Sequence, residues 1–268
     1  MDNRPIGFFD SGLGGLTCIP HLVRELPEER VVYFGDTART PYGSKTEATI
    51  RNFSLEIAGF LVENNVKMIV IACNTVSSVA LFEISEKYPE IPVIGIIQPA
   101  ADKIVKMCTA CDRVGIIGTK ATVRSGSYDK ALLSLNGNFH FFSEACPVLV
   151  PLIEEGIIES DIMDLSIKYY LDGFIEKNEI NVIVLGCTHY PLIRRNIEKL
   201  YPGLKIIDPS IEIISEIKKT LVEREMFAKG SGLLNTFYAS DLSPHFLGMI
   251  DRIFEDTSVN VIFKNLEL

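Results

Sequence analysis

The sequence predicts an α/β protein with mainly parallel sheets that was built by internal duplication. Short apolar runs rich in β-branched residues alternate with amphipathic helical segments, a pattern typical of parallel strands covered on both faces. Two of these runs, residues 66–73 and 181–187, end at a cysteine that is followed by polar residues. The two cysteines are 114 residues apart, and the elements around them recur in the same order, which indicates a repeat.

Length and composition describe an ordinary globular protein. The 268 residues suffice for one large or two small domains, and 47% of them are hydrophobic. The formal net charge of −9 argues against a nucleic-acid partner, because phosphate binding needs clustered lysine and arginine. No apolar run approaches the roughly 20 residues of a membrane span, and the N-terminus lacks a signal-peptide pattern. We therefore expect a cytoplasmic protein without a membrane partner.

The six cysteines are expected to be reduced thiols, because disulfides are rare in cytosolic proteins. Cys108 and Cys111 form a C-x-x-C pair, but no second pair of ligands lies nearby to complete a zinc site. The pair follows a helical pattern instead of starting one, so a redox role is not expected either. The sequence predicts no metal site.

The first part of the chain contains a glycine-rich turn between a strand and a helix. Strands are predicted at residues 5–9, 30–34, 66–73 and 91–97, and helices at 16–26, at 45–65 and from the first cysteine through Ser85. The turn, residues 10–15, fits neither a dinucleotide motif nor a P-loop. Two interpretations stay open. Its N–H groups bind a small anion such as a carboxylate, or the turn is merely tight and Asp10 caps the helix.

The same pattern restarts at residue 113. Strands are predicted from 113 to Gly118, at 138–142, at 181–187 and at 204–207, with a long helix at 160–178. Gly118 stands in the place of Asp10, and Thr119 stands in the place of Ser11. Glu144 follows Gly118 by the same 26 residues that separate Asp36 from Asp10, so the spacing predicts that Glu144 matches Asp36.

The C-terminal part is predicted to form a helix from Ile211, a short strand at 236–239 and a helix at 244–255. A tail of this size has no core of its own, so we expect it to return to the first half and complete that sheet. The predicted domains are residues 1–97 together with 211–268, and residues 98–210. No flexible linker separates them, so they should pack closely around a cleft.

An ordered set of motifs extends along nearly the whole chain. It comprises Asp10-Ser11-Gly12-Leu13-Gly14-Gly15, Pro41-Tyr42-Gly43, Cys73-Asn74-Thr75, Gly118-Thr119 with Thr122, and Gly186-Cys187-Thr188-His189-Tyr190-Pro191. The set resembles glutamate racemase. The resemblance implies two α/β/α domains related by a pseudo-twofold axis, with L- or D-glutamate held in the cleft between them. It also implies a cofactor-independent enzyme that supplies D-glutamate for bacterial peptidoglycan.

Two thiols suit the inversion of an amino-acid α-carbon, because one proton must leave one face while another arrives at the opposite face. A duplicated fold can place one base on each side. A free thiol has a pKa of about 8.5, so each thiol needs activation. The resemblance assigns Asp10 to assist Cys73, and His189 with Glu154 to assist Cys187. A carboxylate on one side and an imidazole on the other would make the two half-reactions unequal.

Stabilising the carbanion without a cofactor requires preorganised hydrogen-bond donors around the substrate. The resemblance implies that donors at the strand ends bind the amino group and both carboxylates of the substrate. The substrate-binding set is Asp10, Ser11, Pro41, Tyr42, Gly43, Cys73, Asn74, Thr75, Thr119, Thr122, Cys187, Thr188 and His189. No cofactor is expected, the predicted partner is the small-molecule substrate, and the sequence leaves a homodimer open.

Several alternatives stay open at this point. The choice of Glu154 over the adjacent Glu155 rests on the motif alone, and Asp36 has either a supporting role or that of a turn residue. Aspartate and hydantoin racemases also pair two thiols, although the residues around Asp10 and Cys187 favour glutamate. A decarboxylase of this type would keep one thiol. A non-enzymatic module that binds a small acid has no need of two thiols.

Overall fold

Two parallel β-sheets organise the protein, and this computed structural model describes residues 1–135, 140–230, 234–253 and 259–266. The first sheet has the spatial order β10-β9-β2-β1-β3-β4, and the second has the order β6-β5-β7-β8. The strands are β1 Ile6–Asp10, β2 Val31–Gly35, β3 Met68–Ile71, β4 Val93–Gly95, β5 Arg113–Gly118, β6 His140–Ala145, β7 Val182–Gly186, β8 Lys205–Ile207, β9 Thr236–Ala239 and β10 Asn260–Phe263.

Helices cover the sheets, and the two longest of them begin at a side-chain cap. Ser160 and Thr46 each accept a hydrogen bond from the backbone N–H three residues later, which starts the two longest helices. The helices are α1 Ile19–Glu25, α2 Glu47–Glu63, α3 Asn74–Val79, α4 Leu81–Lys87, α5 Ile97–Met107, α6 Lys120–Ser125, α7 Ser127–Ser134, α8 Leu149–Glu154, α9 Asp161–Asn178, α10 Arg194–Leu200, α11 Pro209–Glu223 and α12 Pro244–Ile253. Short 3-10 turns lie at Gly14–Cys18, Thr37–Arg39, Tyr42–Ser44 and Tyr190–Ile193.

The strand order shows the duplication directly, because β2-β1-β3-β4 recurs as β6-β5-β7-β8. Phe9 pairs with Ile71 in the first sheet, so the next rung joins Asp10 to Ala72. In the second sheet the corresponding rung joins Gly118 to Gly186. Each of the two motif cysteines therefore comes one residue after the equivalent rung. The predicted α/β class with two mainly parallel sheets is confirmed.

The predicted match between Glu144 and Asp36 is wrong. Asp36 donates its backbone N–H to the carbonyl of Asp10, and the residue that makes the same bond to Gly118 is Cys146. The paired strand ends are 25 residues apart in the first sheet, Asp10 to Gly35, and 27 apart in the second, Gly118 to Ala145. Counting along the chain could not reveal this two-residue difference. As a result, Glu144 lies within β6 and not after it.

Other elements differ from prediction in their bounds. The helix predicted from residue 16 starts as a 3-10 turn, and the helix predicted through Ser85 is interrupted at Ala80, whose backbone leaves the helical region. The strand predicted at 91–97 shrinks to β4, because α5 already begins at Ile97. Strand β10 was not predicted, since a four-residue apolar run carries little signal. The predicted residues 138–139 and 254–255 lie outside the described residues.

The tail joins the first sheet, where β9 pairs with β2 and β10 pairs with β9. Helices α5 and α11 pack against each other. Their side chains share one apolar core with strands of both sheets, as Ile104, Ile213, Val70 and Val184 illustrate. This shared layer joins the two halves of the molecule. Within the described residues, no helix is long and apolar enough to cross a membrane.

Candidate active site

A buried cavity lies between the two sheets, at the ends of their parallel strands. It is nearly closed, with a volume of about 10 Å³, and residues from both halves of the chain line it. Ligands of open parallel sheets bind at this edge, beyond the carboxyl ends of the strands. The lining residues are Ser11, Thr40, Pro41, Tyr42, Gly43, Cys73, Asn74, Thr75, Thr119, Val150, Cys187, Thr188 and His189.

The two predicted catalytic thiols meet at this one cavity. Cys73 follows β3 of the first sheet and caps α3, whereas Cys187 follows β7 of the second sheet. Their residues are only 4% and 5% exposed. The remaining predicted site residues, Asp10, Thr122 and Glu154, lie behind the lining, and each contacts a residue that forms it.

His189 connects Cys187 to Glu154. The imidazole Nδ1 lies 3.7 Å from the Sγ atom of Cys187, and Nε2 lies 2.5 Å from Oε1 of Glu154. Burial acts to lower the pKa of His189, but its hydrogen bonds to Cys187 and Glu154, together with their charges, raise it well above the ordinary 6.5. The contacts with Cys187 and Glu154 therefore favour the cationic form of the ring. Glu155, the adjacent carboxylate, is exposed.

Cys73 has a different environment. Its thiol donates to the hydroxyl of Ser11 at 3.4 Å. Burial and the nearby charge of Asp10 raise the pKa of the Cys73 thiol to about 12, although the hydrogen bond to Ser11 acts in the opposite direction. Cys73 therefore holds its proton at neutral pH.

Asp10 is fully buried at the boundary between the two halves. Its Oδ1 accepts a hydrogen bond from the hydroxyl of Thr188 at 3.1 Å, and its Oδ2 accepts one from the backbone N–H of Gly12 at 3.0 Å. Burial raises the pKa of Asp10, while the charge of His189 and these hydrogen bonds oppose the increase. A carboxylate and an imidazolium from opposite halves thus influence each other inside the protein.

The glycine-rich turn holds an anion, but the anion belongs to the chain itself. The N–H groups of Gly12 and Gly15 donate to the carboxylate of Asp10. The alternative in which Asp10 caps the helix is wrong, since the first 3-10 turn starts after Leu13. Gly14 permits close contact between the halves, because a Cβ at this position would lie 2.5 Å from the hydroxyl oxygen of Thr188. The turn therefore holds the carboxylate of Asp10 and also contacts the second half of the chain at Thr188.

Three threonine hydroxyls form a hydrogen-bonded group across the cleft. Thr75 Oγ1 of the first half lies 2.9 Å from Thr119 Oγ1 and 3.3 Å from Thr122 Oγ1 of the second half. The last two hydroxyls are 3.0 Å apart. A hydroxyl can both donate and accept, so this group can reorient toward an incoming carboxylate. Gly43 packs on Thr119, with room for no Cβ.

Asp36 lies outside the cavity lining and supports it. Its carboxylate accepts hydrogen bonds from the Tyr42 hydroxyl, from Arg39 Nε at 2.7 Å and from Ser240 Oγ at 2.8 Å. Burial and the charge of Asp36 raise the pKa of Tyr42, so its hydroxyl stays protonated. Of the two roles left open by the sequence, the contacts favour the supporting one.

Sequence reasoning missed Thr40 and Val150, which line the cavity, and Tyr128, which contacts its wall. Thr40 directly precedes a recognised motif, and this adjacency was the available signal. Among the described residues, Thr40 Oγ1 and Asn74 Nδ2 are buried polar atoms without a hydrogen-bond partner. Buried polar atoms normally have partners, so these two are candidates to bind a ligand.

The residues that line the cavity do not include the C-x-x-C pair. No group of three or more histidine, cysteine, aspartate or glutamate side chains in the described part of the chain is arranged to hold a metal ion. Cys108 and Cys111 are free thiols, of which the second is exposed. The C-x-x-C pair lies in the loop between α5 and β5.

Comparison with known proteins places this geometry in a family. The sequence model of the Asp/Glu/Hydantoin racemase family matches residues 11–216. A glutamate racemase of Geobacter metallireducens is 41% identical over 269 residues, covering 100% of this chain and 98% of the relative. The chain belongs to the glutamate racemase family. A glutamate racemase from a Sulfurihydrogenibium species is 46% identical over 84% of this chain and 86% of its own length.

Solved structures agree with this assignment. The glutamate racemase of Francisella tularensis subsp. tularensis, determined in complex with D-glutamate, superposes with a TM-score of 0.91 at 36% identity. The match covers 100% of this chain and 99% of that one. The resemblance stated from the sequence is confirmed, and the protein is an enzyme of the amino-acid racemase class, an isomerase.

Proposed function

We propose that this racemase interconverts L- and D-glutamate without a cofactor, using Cys73 and Cys187 as its two bases. The observation that carries the proposal is the convergence of these thiols, one from each sheet, on a single buried cavity. The substrate follows from the relatives, since a structural neighbour that matches the whole chain was determined with D-glutamate.

In the proposed mechanism, one cysteine thiolate removes the α-proton and the other cysteine delivers its thiol proton to the opposite face. The electron pair of the broken C–H bond resides on the substrate between the two steps. Cys73 suits the role of proton donor in the resting enzyme, because its raised pKa keeps the thiol protonated. After one turnover the protonation states of the two sulfurs are exchanged, and the reverse reaction restores them.

The neighbouring groups complete the acid–base chemistry. The His189 imidazolium stabilises a Cys187 thiolate electrostatically, and the carboxylate of Glu154 holds the ring in its cationic form. On the other side, Asp10 has a raised pKa and supplies a carboxyl group near Cys73. General acid–base catalysis of this kind contributes about 10²–10⁴-fold in rate.

Substrate binding is assigned to the neutral donors of the cavity. The free Nδ2 of Asn74, the hydroxyl of Thr40 and the cross-cleft threonine hydroxyls supply donors for two carboxylates. Neutral donors avoid a strong ion pair that would stabilise bound substrate as much as the transition state. Because the cavity is buried, substrate enters when the two halves separate and is enclosed when they close.

The proposal extends to organisation and cellular role. Residues 1–97 with 211–268 form the domain that carries Cys73, and residues 98–210 form the domain that carries Cys187. The pairing of β9 with β2 supports this division, since it returns the tail to the first sheet. The enzyme supplies D-glutamate for bacterial peptidoglycan in the cytoplasm, and a homodimer stays a prediction.

Incubation with L-glutamate in deuterium oxide tests the function. We expect D-glutamate to form with solvent deuterium at Cα, because the proton that is delivered comes from an enzyme thiol in exchange with solvent. L-aspartate is the matched control, one methylene shorter, and should give no turnover. Turnover of aspartate or a hydantoin in place of glutamate would assign another substrate. A stable complex without exchange would indicate a binding module.

A further inference from the structure

A tyrosine that no motif singled out reaches across the cleft to the active site. Tyr128 lies on α7 in the second half of the chain and is 2% exposed. Its hydroxyl donates a hydrogen bond to Oδ1 of Asn74, at the start of α3 in the first half, over 2.7 Å. We propose that Tyr128 is a positioning residue that fixes the Asn74 amide with its NH2 group toward the substrate. This inference rests on the proposed function for Asn74 as a substrate donor.

The direction of this hydrogen bond fixes the orientation of the amide. Burial, and then the charges of Cys187 and Asp208, raise the pKa of Tyr128, so its hydroxyl keeps its proton and donates it. An asparagine amide carries an acceptor oxygen and a donor nitrogen that exchange places when the group flips. A donor hydroxyl selects the orientation in which the oxygen faces Tyr128. The nitrogen then faces away from Tyr128.

The nitrogen of the amide is left for a ligand. Asn74 lines the cavity, and its Nδ2 is a buried donor without a partner among the described residues. A buried N–H group without an acceptor is unfavourable, and a substrate carboxylate is the acceptor that the proposed reaction brings into the cavity. A flipped amide would instead present its oxygen to that carboxylate, and the two acceptors would repel each other.

The ring of Tyr128 is held firmly enough to perform this role. It belongs to the apolar core that both sheets share. It also packs over Gly186, where a Cβ would lie 3.4 Å from the Cε2 atom of the tyrosine ring. Gly186 immediately precedes Cys187, so one rigid side chain links the strand end that carries Cys187 to the residue after Cys73. Tyr128 therefore also contributes to holding the closed cleft.

Replacement of Tyr128 by phenylalanine tests the proposal, because it keeps the ring in the core and removes only the hydroxyl. We expect KM for glutamate to rise and kcat/KM to fall about tenfold, since the amide loses its preferred orientation. The matched control is Tyr201→Phe, which deletes a hydroxyl that binds Asp172 at 2.6 Å outside the cavity. This control should leave both constants unchanged.

A double-mutant cycle separates positioning from packing. In an Asn74→Ala background, Tyr128→Phe should cause no further loss, because the group that Tyr128 orients is absent. An equal loss in both backgrounds would mean that the hydroxyl acts through packing or closure alone, and would overturn the proposal. A wild-type kcat/KM in the Tyr128→Phe variant would overturn it as well.

A spectroscopic readout keeps the inference separate from the proposed function. In protein labelled with ¹⁵N-asparagine, the side-chain resonance that disappears in Asn74→Ala belongs to Asn74. We expect Tyr128→Phe to shift or broaden this resonance in the unliganded enzyme, whatever the substrate is. An unchanged resonance would refute the positioning role. Absence of glutamate turnover by the wild-type protein would instead refute the proposed function.

Discussion

The surroundings of Cys73 and Cys187 differ although the backbone places the two thiols equivalently. Each thiol comes one residue after the same rung of a duplicated sheet. Cys73 donates to a hydroxyl and lies near a buried carboxyl group, and its pKa is raised to about 12. Cys187 lies beside an imidazole whose pKa is raised by its hydrogen bonds to Cys187 and Glu154. The repeated backbone therefore gives both sulfurs equivalent positions, and different neighbouring side chains give them different acid–base partners.

The partners do not occupy equivalent positions in the two halves. The carboxylate is that of Asp10, the last residue of β1, where the second half has Gly118 at the end of β5. The imidazole comes two residues after Cys187, where the first half has Thr75. A pseudo-symmetric cavity thus takes one titratable group from the end of β1 and the other from the loop after β7. This arrangement gives each thiol a different acid–base partner, and it predicts unequal half-reactions.

The largest effect should come from removing either sulfur. We expect Cys73→Ser and Cys187→Ser each to lower racemisation by about 10³-fold or more, because a serine hydroxyl is a far weaker acid than a thiol. The exposed Cys111→Ser variant is the matched control and should retain wild-type activity, measured by circular dichroism of the glutamate formed.

The same two variants also show which face of the substrate each cysteine deprotonates. Each should still eliminate the halide from one enantiomer of a 3-chloro analogue of glutamate. The remaining thiolate removes the α-proton, the C–H electron pair forms a double bond, and chloride departs. Opposite enantiomeric preferences of the two variants would support one base per face. If both variants preferred the same enantiomer, or either kept full racemase activity, the two-base account would fail.

A smaller effect on activity, confined to the Cys73 side, is expected from Asp10→Asn. The substitution keeps the size of the side chain and removes its titratable group. We predict a loss of about 10²-fold in kcat/KM. Since L- and D-glutamate have equal free energies in solution, this loss must be the same in both directions. The asymmetry should appear in the primary deuterium isotope effect, which should grow for the enantiomer that Cys73 deprotonates. Equal growth for both enantiomers would contradict the assignment.

The thermal stability of Asp10→Asn serves as the control for its loss of activity. The folded-state pKa of Asp10 is raised by burial, so its stabilising contribution is greatest at low pH and is lost as the pH rises through that value. The neutral asparagine avoids this loss. The thermal midpoint of Asp10→Asn relative to that of the wild type should therefore be higher at pH 7 than at pH 5.

The smallest effect should come from Glu154→Gln on the Cys187 side. The carboxylate of Glu154 helps to raise the pKa of His189, so its removal lowers that pKa. If the imidazolium is the active form, activity is lost as pH rises through the His189 pKa. The basic limb of the pH profile of kcat/KM should then move to lower pH, with roughly a tenfold loss at pH 8.

Glu155→Gln is the matched control for this measurement, because the adjacent side chain is exposed. Its profile should coincide with that of the wild type. A limb that stayed in place in Glu154→Gln, or moved to higher pH, would show that the imidazolium is not the active form of His189.

The repeated strand pattern, the placement of both cysteines after strands and the family motifs could all be read from the sequence. These features depend on local periodicity and on short segments, which a single chain displays directly. The same reasoning failed for Glu144, because register depends on how far each strand extends, and a difference of two residues leaves the hydrophobic alternation unchanged. It also missed β10, whose four residues resemble many loop segments.

By itself the sequence determined the α/β class, the duplication and the identity of the chemical groups. Only the tertiary structure decided which of those groups meet: Asp10 with Thr188, Glu154 with His189, and Tyr128 with Asn74. These partners are separated by 178, 35 and 54 residues along the chain. The physical reason is that side-chain periodicity reports which face of an element is buried. The distance between two polar groups depends instead on how whole sheets and helices pack.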